Sequence, residues 1–425
     1  MSTIDIEPSV KALPSLRMNF AWAFAGNMLY GACQWGMLSA LAKLGDASIV
    51  GQFTFGLAVS APIFLFTSLQ LRSVQATDAR LQHRFGDCFT LRLLTTALAL
   101  CVIFVVAPFA TRSAPVRVIV LLISISKCIE CMSDVIAGLF QREERLDRVA
   151  TSLILRGAGS VLVFSLTFAY FRSLALSVVA MSGVWLAVLF FYDIPSARAL
   201  LGANDRFFHF DRRELRRLIM LSLPLGWVAT IVSLTVNVPR YILQHDLGLA
   251  DQGIFASLSY LIVAINLVVL ALTQSAITRL SVMYADGDMQ RFKALLTKLS
   301  LLGVLVSVAG VPLALLIGRP LLTPIYRPEY GNHVLLLALL VAAAGLSMTG
   351  SFLFCGASAA RAFRIQVPVY LLGLLVASSG TASLVPRYGM NGAGISLLLS
   401  AATTVIGGLF VLRRVLRAGS RGVAQ

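Results

Sequence analysis

Acidic residues are scarce in this 425-residue chain: 19 Asp and Glu stand against 35 Lys and Arg, for a formal net charge of +16. Charge of either sign is thin, at 13% of residues, while 58% are hydrophobic and the mean hydropathy is +0.85. That balance excludes a soluble globular domain. Histidine is rare, with four in the chain, and none sits at a metal-ligand spacing. The six cysteines (Cys33, Cys88, Cys101, Cys128, Cys131 and Cys355) lie within apolar runs or at their ends, which argues against an extracellular disulfide framework. Cys128 and Cys131 form a CxxC without a second pair, and packing is its expected role. The sequence contains no nucleotide-binding P-loop and no paired-carboxylate hydrolase site, and no nucleic-acid recognition module accompanies its basic charge. Neither a catalytic group, a metal nor a cofactor is expected.

Long apolar runs dominate what is there. Phe89–Ala110, Val116–Phe140 and Leu295–Ile317 each exceed the roughly 20 helical residues that cross a hydrocarbon core of about 30 Å. Backbone polar groups cannot stay unpaired in lipid, so such runs are helices. The pattern predicts an all-α polytopic membrane protein of about twelve spans: 18–42, 50–71, 88–110, 116–140, 149–170, 173–193, 215–241, 251–276, 294–317, 332–356, 363–384 and 390–412. The N-terminal segment 1–17, polar and carrying two prolines, reads as a cytoplasmic segment rather than a cleaved leader. Every second loop is rich in arginine, among them Arg72, Arg80, Arg84, Arg142, Arg145, Arg148, Arg198, Arg206, Arg212, Arg213, Arg216, Arg217, Arg279, Arg361 and Arg364. With helix ends and the 413–425 tail included, the split is about 25 basic residues against 8, and the positive-inside rule then puts both termini in the cytoplasm. Attraction to an anionic cytoplasmic leaflet accounts for the net charge.

The polar stretch 194–214 divides two sets of six spans, 18–193 and 215–412. An echo connects them. LGDASIVGQFTFGLAVSAPIFLF, from Leu44, matches LGLADQGIFASLSYLIVAINLVV, from Leu247, with one residue of gap. Each places Gly-x-Phe (Gly51 and Phe53; Gly253 and Phe255) at the start of the second span of its half. Weak internal repeats of this kind mark two-lobed transporters. Together with LPLG at Leu223–Gly226, NVPRYIL at Asn237–Leu243, ITRLSVMYADGDMQRF at Ile277–Phe292 and RYGMNGAGIS at Arg387–Ser396, these segments resemble the polysaccharide flippases of the multidrug/oligosaccharidyl-lipid/polysaccharide exporter superfamily. The closer likeness is to bacterial lipopolysaccharide-biosynthesis O-antigen translocases. That resemblance implies two six-helix bundles forming a V, as in MATE transporters, in the bacterial inner membrane. It also implies translocation of an oligosaccharide linked to undecaprenyl pyrophosphate by alternating access, with membrane lipids and other polysaccharide-assembly proteins as partners.

Ionisable residues deep in a span are costly and face a cavity or a partner. Span 4 carries Lys127, Glu130 and Asp134, which fall within an arc of about 60° at about 100° per residue. Span 5 carries Arg156; in an antiparallel hairpin centred near Arg145 it shares the depth of Asp134, and a bidentate contact is expected. Two readings stand. The four residues form a neutral network that holds the first lobe together, or substrate pyrophosphate and sugar hydroxyls compete for Lys127 and Arg156, the deep cations outside the helix ends. Asn27, Tyr30 and Gln34 share one face of span 1 and suit either sugar hydroxyls or interhelical hydrogen bonds. In the second half the deep polar residues (Asn237, Asn266, Gln274 and scattered Ser and Thr) are uncharged. Arg240, after Pro239, is expected to anchor its helix at the headgroups, with contact to the exported pyrophosphate as the other reading.

Two rivals differ in class. A polymerase or ligase of the same sugar pathways needs a large outside loop with catalytic Arg or His; the longest here is about Gly318–Asn332. A multidrug efflux antiporter of the same fold would favour a net acidic cavity, whereas the deep charges here balance.

Overall fold

The computed structural model describes residues 16–77, 83–201, 207–360, 362 and 365–422. Residues 1–15, Arg80, Arg206, Arg361 and Arg364 lie outside that set, as do the side chains of Asn266 and Gln274. Among the described residues all regular structure is helical. The first half comprises α1 (Leu16–Leu44), α2 (Ala47–Ser68), a short α3 (Leu71–Thr77), α4 (Phe85–Ala110), α5 (Ala114–Arg142), α6 (Leu146–Phe171) and α7 (Leu174–Val188). α7 passes through a π turn (Leu189–Asp193) into α8 (Ile194–Arg198). The second half comprises α9 (Arg212–Asp246), α10 (Leu249–Leu261), α11 (Val263–Ala285), α12 (Met289–Ile325), a 3-10 turn (Pro328–Asn332), α13 (Val334–Ala359), α14 (Val367–Tyr388) and α15 (Met390–Gly422).

Among the described residues, nine helical segments are long and apolar enough to cross a membrane. α1, α5 and the α10–α11 pair complete the twelve expected crossings. They fall short in apolarity or continuity for local reasons. α5 carries Lys127, Glu130 and Asp134, and α10 is separated from α11 at Ile262. Helix starts follow their capping residues: the Asp46 carboxylate accepts from the Ile49 amide at 2.8 Å, and Pro115 opens α5 where its missing N–H costs nothing. Several helices outrun their apolar cores. α9 and α12 have 35 and 37 residues, and α15 carries the basic segment from Arg413 on as helix as far as Gly422.

α1 packs on α6, α6 on α7, and α5 on α2, α4 and α7 to form the first lobe. α12, α13, α14 and α15 interlock in the second, with α11 against α13 and α9 against α14. The lobes meet where α2 crosses α10 and runs beside α9. Here the two echoed glycines face each other. A Cβ on Gly51 would run into the Leu249 carbonyl, and one on Gly253 into the Ala47 carbonyl and the Gly51 backbone. Only residues without a side chain permit this approach. Thr54 Oγ1 donates to Gln252 Oε1 across the crossing at 3.2 Å. At the same end Trp35 Nε1 donates to the Tyr326 hydroxyl at 3.0 Å, that hydroxyl donates to the Ser257 carbonyl at 3.0 Å, and Arg327 Nη2 donates to the Lys43 carbonyl at 3.1 Å. α1 is accordingly buried over Met37 and Leu38 and exposed at Met18, Phe20, Trp22 and Phe24, so the lobes close at the end holding Lys43 and Gly248.

Candidate functional site

α5 sets the polar centre of the first lobe. Lys127 and Glu130, three residues apart on one face, pair at 2.6 Å. The Tyr30 hydroxyl on α1 donates to the other Glu130 oxygen at 3.3 Å. Gly157 of α6 lies against Tyr30 and Cys33, which lets α6 bring Arg156 close behind the pair. These groups line or back a cavity of about 260 Å³ whose wall includes Asn27, Tyr30, Gln34, Lys127, Glu130 and Tyr260. Asn27 spends one amide proton on the Ala23 carbonyl at 2.7 Å and keeps its second amide proton and its carbonyl oxygen for the cavity. The span 1 face is therefore a cavity wall.

Asp134 does not pair with Arg156. Its carboxylate meets Arg92 Nη2 of α4 at 2.5 Å and Arg72 Nη1 of α3 at 3.6 Å, while Arg92 Nη1 donates to the Ser68 carbonyl at 3.0 Å. The hairpin expectation failed because α5 packs much more extensively on α4 than on α6, so equal depth along α5 and α6 is not contact. Arg156, 5% exposed, instead stands within electrostatic reach of Tyr30, Glu130 and Asp193. Asp193, at the end of the π turn, is 1% exposed, and neither of its carboxylate oxygens has a hydrogen-bond partner among the described residues. Single π turns recur at functional sites because they shift a helix face by one residue.

Lys127 and Arg156 are also not the sole deep cations. Arg92 is 1% exposed. It stands two turns into an apolar helix, a position that the reading by loops counted as a helix end. Arg240 is 9% exposed and therefore no headgroup anchor. Its guanidinium donates to Asn237 Oδ1 at 3.4 Å and lies 6.0 Å from the ring centre of Tyr260, and its Nε has no partner among the described residues. No carboxylate among the described residues pairs with it. Tyr260 thus adjoins a cation from each lobe: it lines the cavity that holds Lys127, and its ring centre lies 6.0 Å from Arg240. Neither Tyr260 nor Asp193 was singled out by sequence; the position of Tyr260 within the echoed segment was the available signal. No group of three metal-ligating side chains occurs among the described residues.

No protein-family model matches the chain. The capsular polysaccharide biosynthesis protein CapF of Staphylococcus aureus is 24% identical over 399 residues, which cover 93% of this chain and 99% of CapF. Among solved structures, the lipid II flippase MurJ in an inward closed conformation superposes with a TM-score of 0.72 at 9% identity, over 94% of this chain and 90% of that one. An inward-facing multidrug resistance MATE family transporter of the MOP superfamily gives a TM-score of 0.69 at 14% identity, over 94% and 96%. The fold is the one that these two solved structures share, one a transporter and the other a flippase.

Proposed function

We propose that this protein is a flippase that carries an oligosaccharide linked to undecaprenyl pyrophosphate across the bacterial inner membrane, by alternating access, for surface polysaccharide or lipopolysaccharide O-antigen assembly. Both termini are cytoplasmic in this reading. The closed end where α2 crosses α10 then faces outward. The observation that carries the proposal is the buried Arg240 guanidinium, which pairs with no acid among the described residues and lies 6.0 Å from the ring of Tyr260, a wall residue of the cavity that holds Lys127. An uncompensated charge in the protein interior costs several kcal/mol and persists where function requires it. A pyrophosphate supplies the missing anion, about two negative charges, and accepts charge-assisted hydrogen bonds from both cations. A cavity for cationic drugs would want the opposite, an unpaired carboxylate in its wall; here Glu130, the one carboxylate of that wall, is held by Lys127, and the unpartnered Asp193 lies outside the wall.

The test is export in cells that depend on this protein. Lys127→Ala and Arg240→Ala, inserted at parental levels, should each cut surface polysaccharide by at least about tenfold, the loss of one good charge-assisted contact. Lipid-linked repeat units should then accumulate on the cytoplasmic side. Normal export by a well-inserted double variant would overturn the proposal. Extrusion of a cationic dye by the parent, without polysaccharide export, would favour the antiporter.

A further inference from the structure

The second lobe holds a cavity built from the same helices as the first, with opposite chemistry. In the first lobe the wall comes from spans 1, 2, 4 and 6 of its half (α1, α2, α5 and α7), with Tyr260 of α10. In the second, spans 1, 2, 4 and 6 of that half (α9, α10, α13 and α15), with α14, enclose about 390 Å³. This lies within the roughly 300–1,000 Å³ usual for organic ligands. Where α5 presents Lys127 and Glu130, this cavity has no charged residue in its wall. Its polar groups are hydroxyls: Thr235, Ser259, Ser347, Ser351, Ser400 and Thr404.

Most of those hydroxyl protons are already committed. Thr235 donates to the Ile231 carbonyl at 2.9 Å, Ser259 to Phe255 at 2.7 Å, Ser351 to Ser347 at 2.9 Å, Ser400 to Gly373 at 2.7 Å and Thr404 to Ser400 at 2.9 Å. What remains at each is oxygen lone pairs. The wall is therefore mainly a set of acceptors, with the Ser347 and Tyr370 hydroxyls free to donate and the rings of Phe255 and Tyr370 beside them, and it suits a neutral ligand rich in hydroxyls, which donate and accept. A bare monovalent cation also seeks oxygens, but without a carboxylate in the wall it would carry an uncompensated charge in a low-dielectric interior. The volume also far exceeds an ion. Adjacent residues of α10 join the two sites: Tyr260 borders the charged cavity and Ser259 the hydroxyl one.

We infer that the second-lobe cavity is a glycan subsite, which receives neutral sugar hydroxyls while the pyrophosphate stays with Lys127 and Arg240. The inference rests on the flippase reading above and assigns the two ends of that substrate to different lobes.

The full-length protein in detergent is titrated with undecaprenyl pyrophosphate and with the same lipid bearing a neutral trisaccharide. The parent should bind the glycosylated lipid about 10- to 100-fold more tightly, the worth of two or so net hydrogen bonds. The Ser347→Ala, Ser351→Ala, Thr404→Val variant, checked for a parental melting temperature, should bind bare lipid as the parent does and lose that increment. Retention of the increment, or equal loss for both lipids, overturns the subsite. So does a variant whose only change is loss of a sodium dependence that the parent shows when sodium is exchanged for N-methylglucamine. A parent that binds neither lipid refutes the flippase reading, and this inference with it.

Discussion

Removing the Asp134 carboxylate should hurt more than removing its main partner. Asp134→Asn leaves the Arg92 guanidinium, 1% exposed, with the Ser68 carbonyl at 3.0 Å as its remaining hydrogen-bond partner among the described residues. Arg92→Gln leaves Asp134, a carboxylate whose side chain is 34% exposed and which keeps Arg72 at 3.6 Å. Breaking a fully buried pair costs about 3–5 kcal/mol; the exposure of Asp134 brings the Arg92→Gln side down to about 1–2 kcal/mol, while the stranded arginine keeps Asp134→Asn near about 3 kcal/mol. The double variant Arg92→Met, Asp134→Leu should recover much of the loss, because no buried charge is left unpaired. Thermal unfolding of the detergent-solubilised protein, followed by size-exclusion monodispersity, measures all of these. A cycle with Asp134 and Arg156 provides the control and should be close to additive, since the two do not touch. Strong coupling of Asp134 to Arg156 and none to Arg92 would refute the assignment of partners.

Single cysteines at Arg213 and Arg414 should label from the cytoplasm and one at Arg327 from outside; Arg213 and Arg327 labelling from the same side would end the proposed orientation. Gly51→Val should block closure at the α2–α10 crossing, since its side chain meets the Leu249 backbone rather than a movable side chain, and export should fall while insertion persists. His333, half-buried at the start of α13, is held below the ordinary imidazole pKa of about 6.5 by burial, against the opposing pull of Asp251 and Glu329. Its folded form binds protons less readily than the unfolded chain, so its stability contribution is intact above about pH 6.5 and declines as pH falls below it. The melting temperature of His333→Asn should therefore fall less than the parent's between pH 7 and pH 5, and parallel curves would show that His333 has no such role.

Architecture was legible because lipid leaves the backbone few options: each run of about 20 apolar residues had to be a helix, and twelve such runs with one polar divide had to form two bundles. Partner choice was not legible, for a reason visible in α5. A helix face can be read from spacing, and Lys127 with Glu130 duly pair at 2.6 Å. Which neighbouring helix supplies the third dimension depends on packing, and it was α4 rather than α6 that met Asp134. Arg92 was hidden by position: two turns from a helix start, it counts equally well as a loop charge or a core charge until its neighbours are known.

The glycines make the same point from the other direction. Gly51 and Gly253 were matched by sequence as equivalent members of a repeat, with no claim that they touch. In the structure each of the two lies against the other's helix, and side-chain-free backbone is what so close an approach demands, because a Cβ on either meets backbone of the opposite helix. A glycine echoed at the start of the second span in each half was therefore evidence of contact as well as of kinship. Arg240 follows this logic a turn of helix away from Asn237, on the helix beside that crossing. Its place in span 7 counts as a helix end by sequence, but it is buried and stands 6.0 Å from the ring of Tyr260, which lines the cavity that holds Lys127. If the crossing opens in the transport cycle, Arg240 loses that burial, and its hold on an anion weakens as water returns to the site. Under the proposed flippase function, closure and substrate grip are then coupled through one helix, as release of the anion on the far side of the membrane would require.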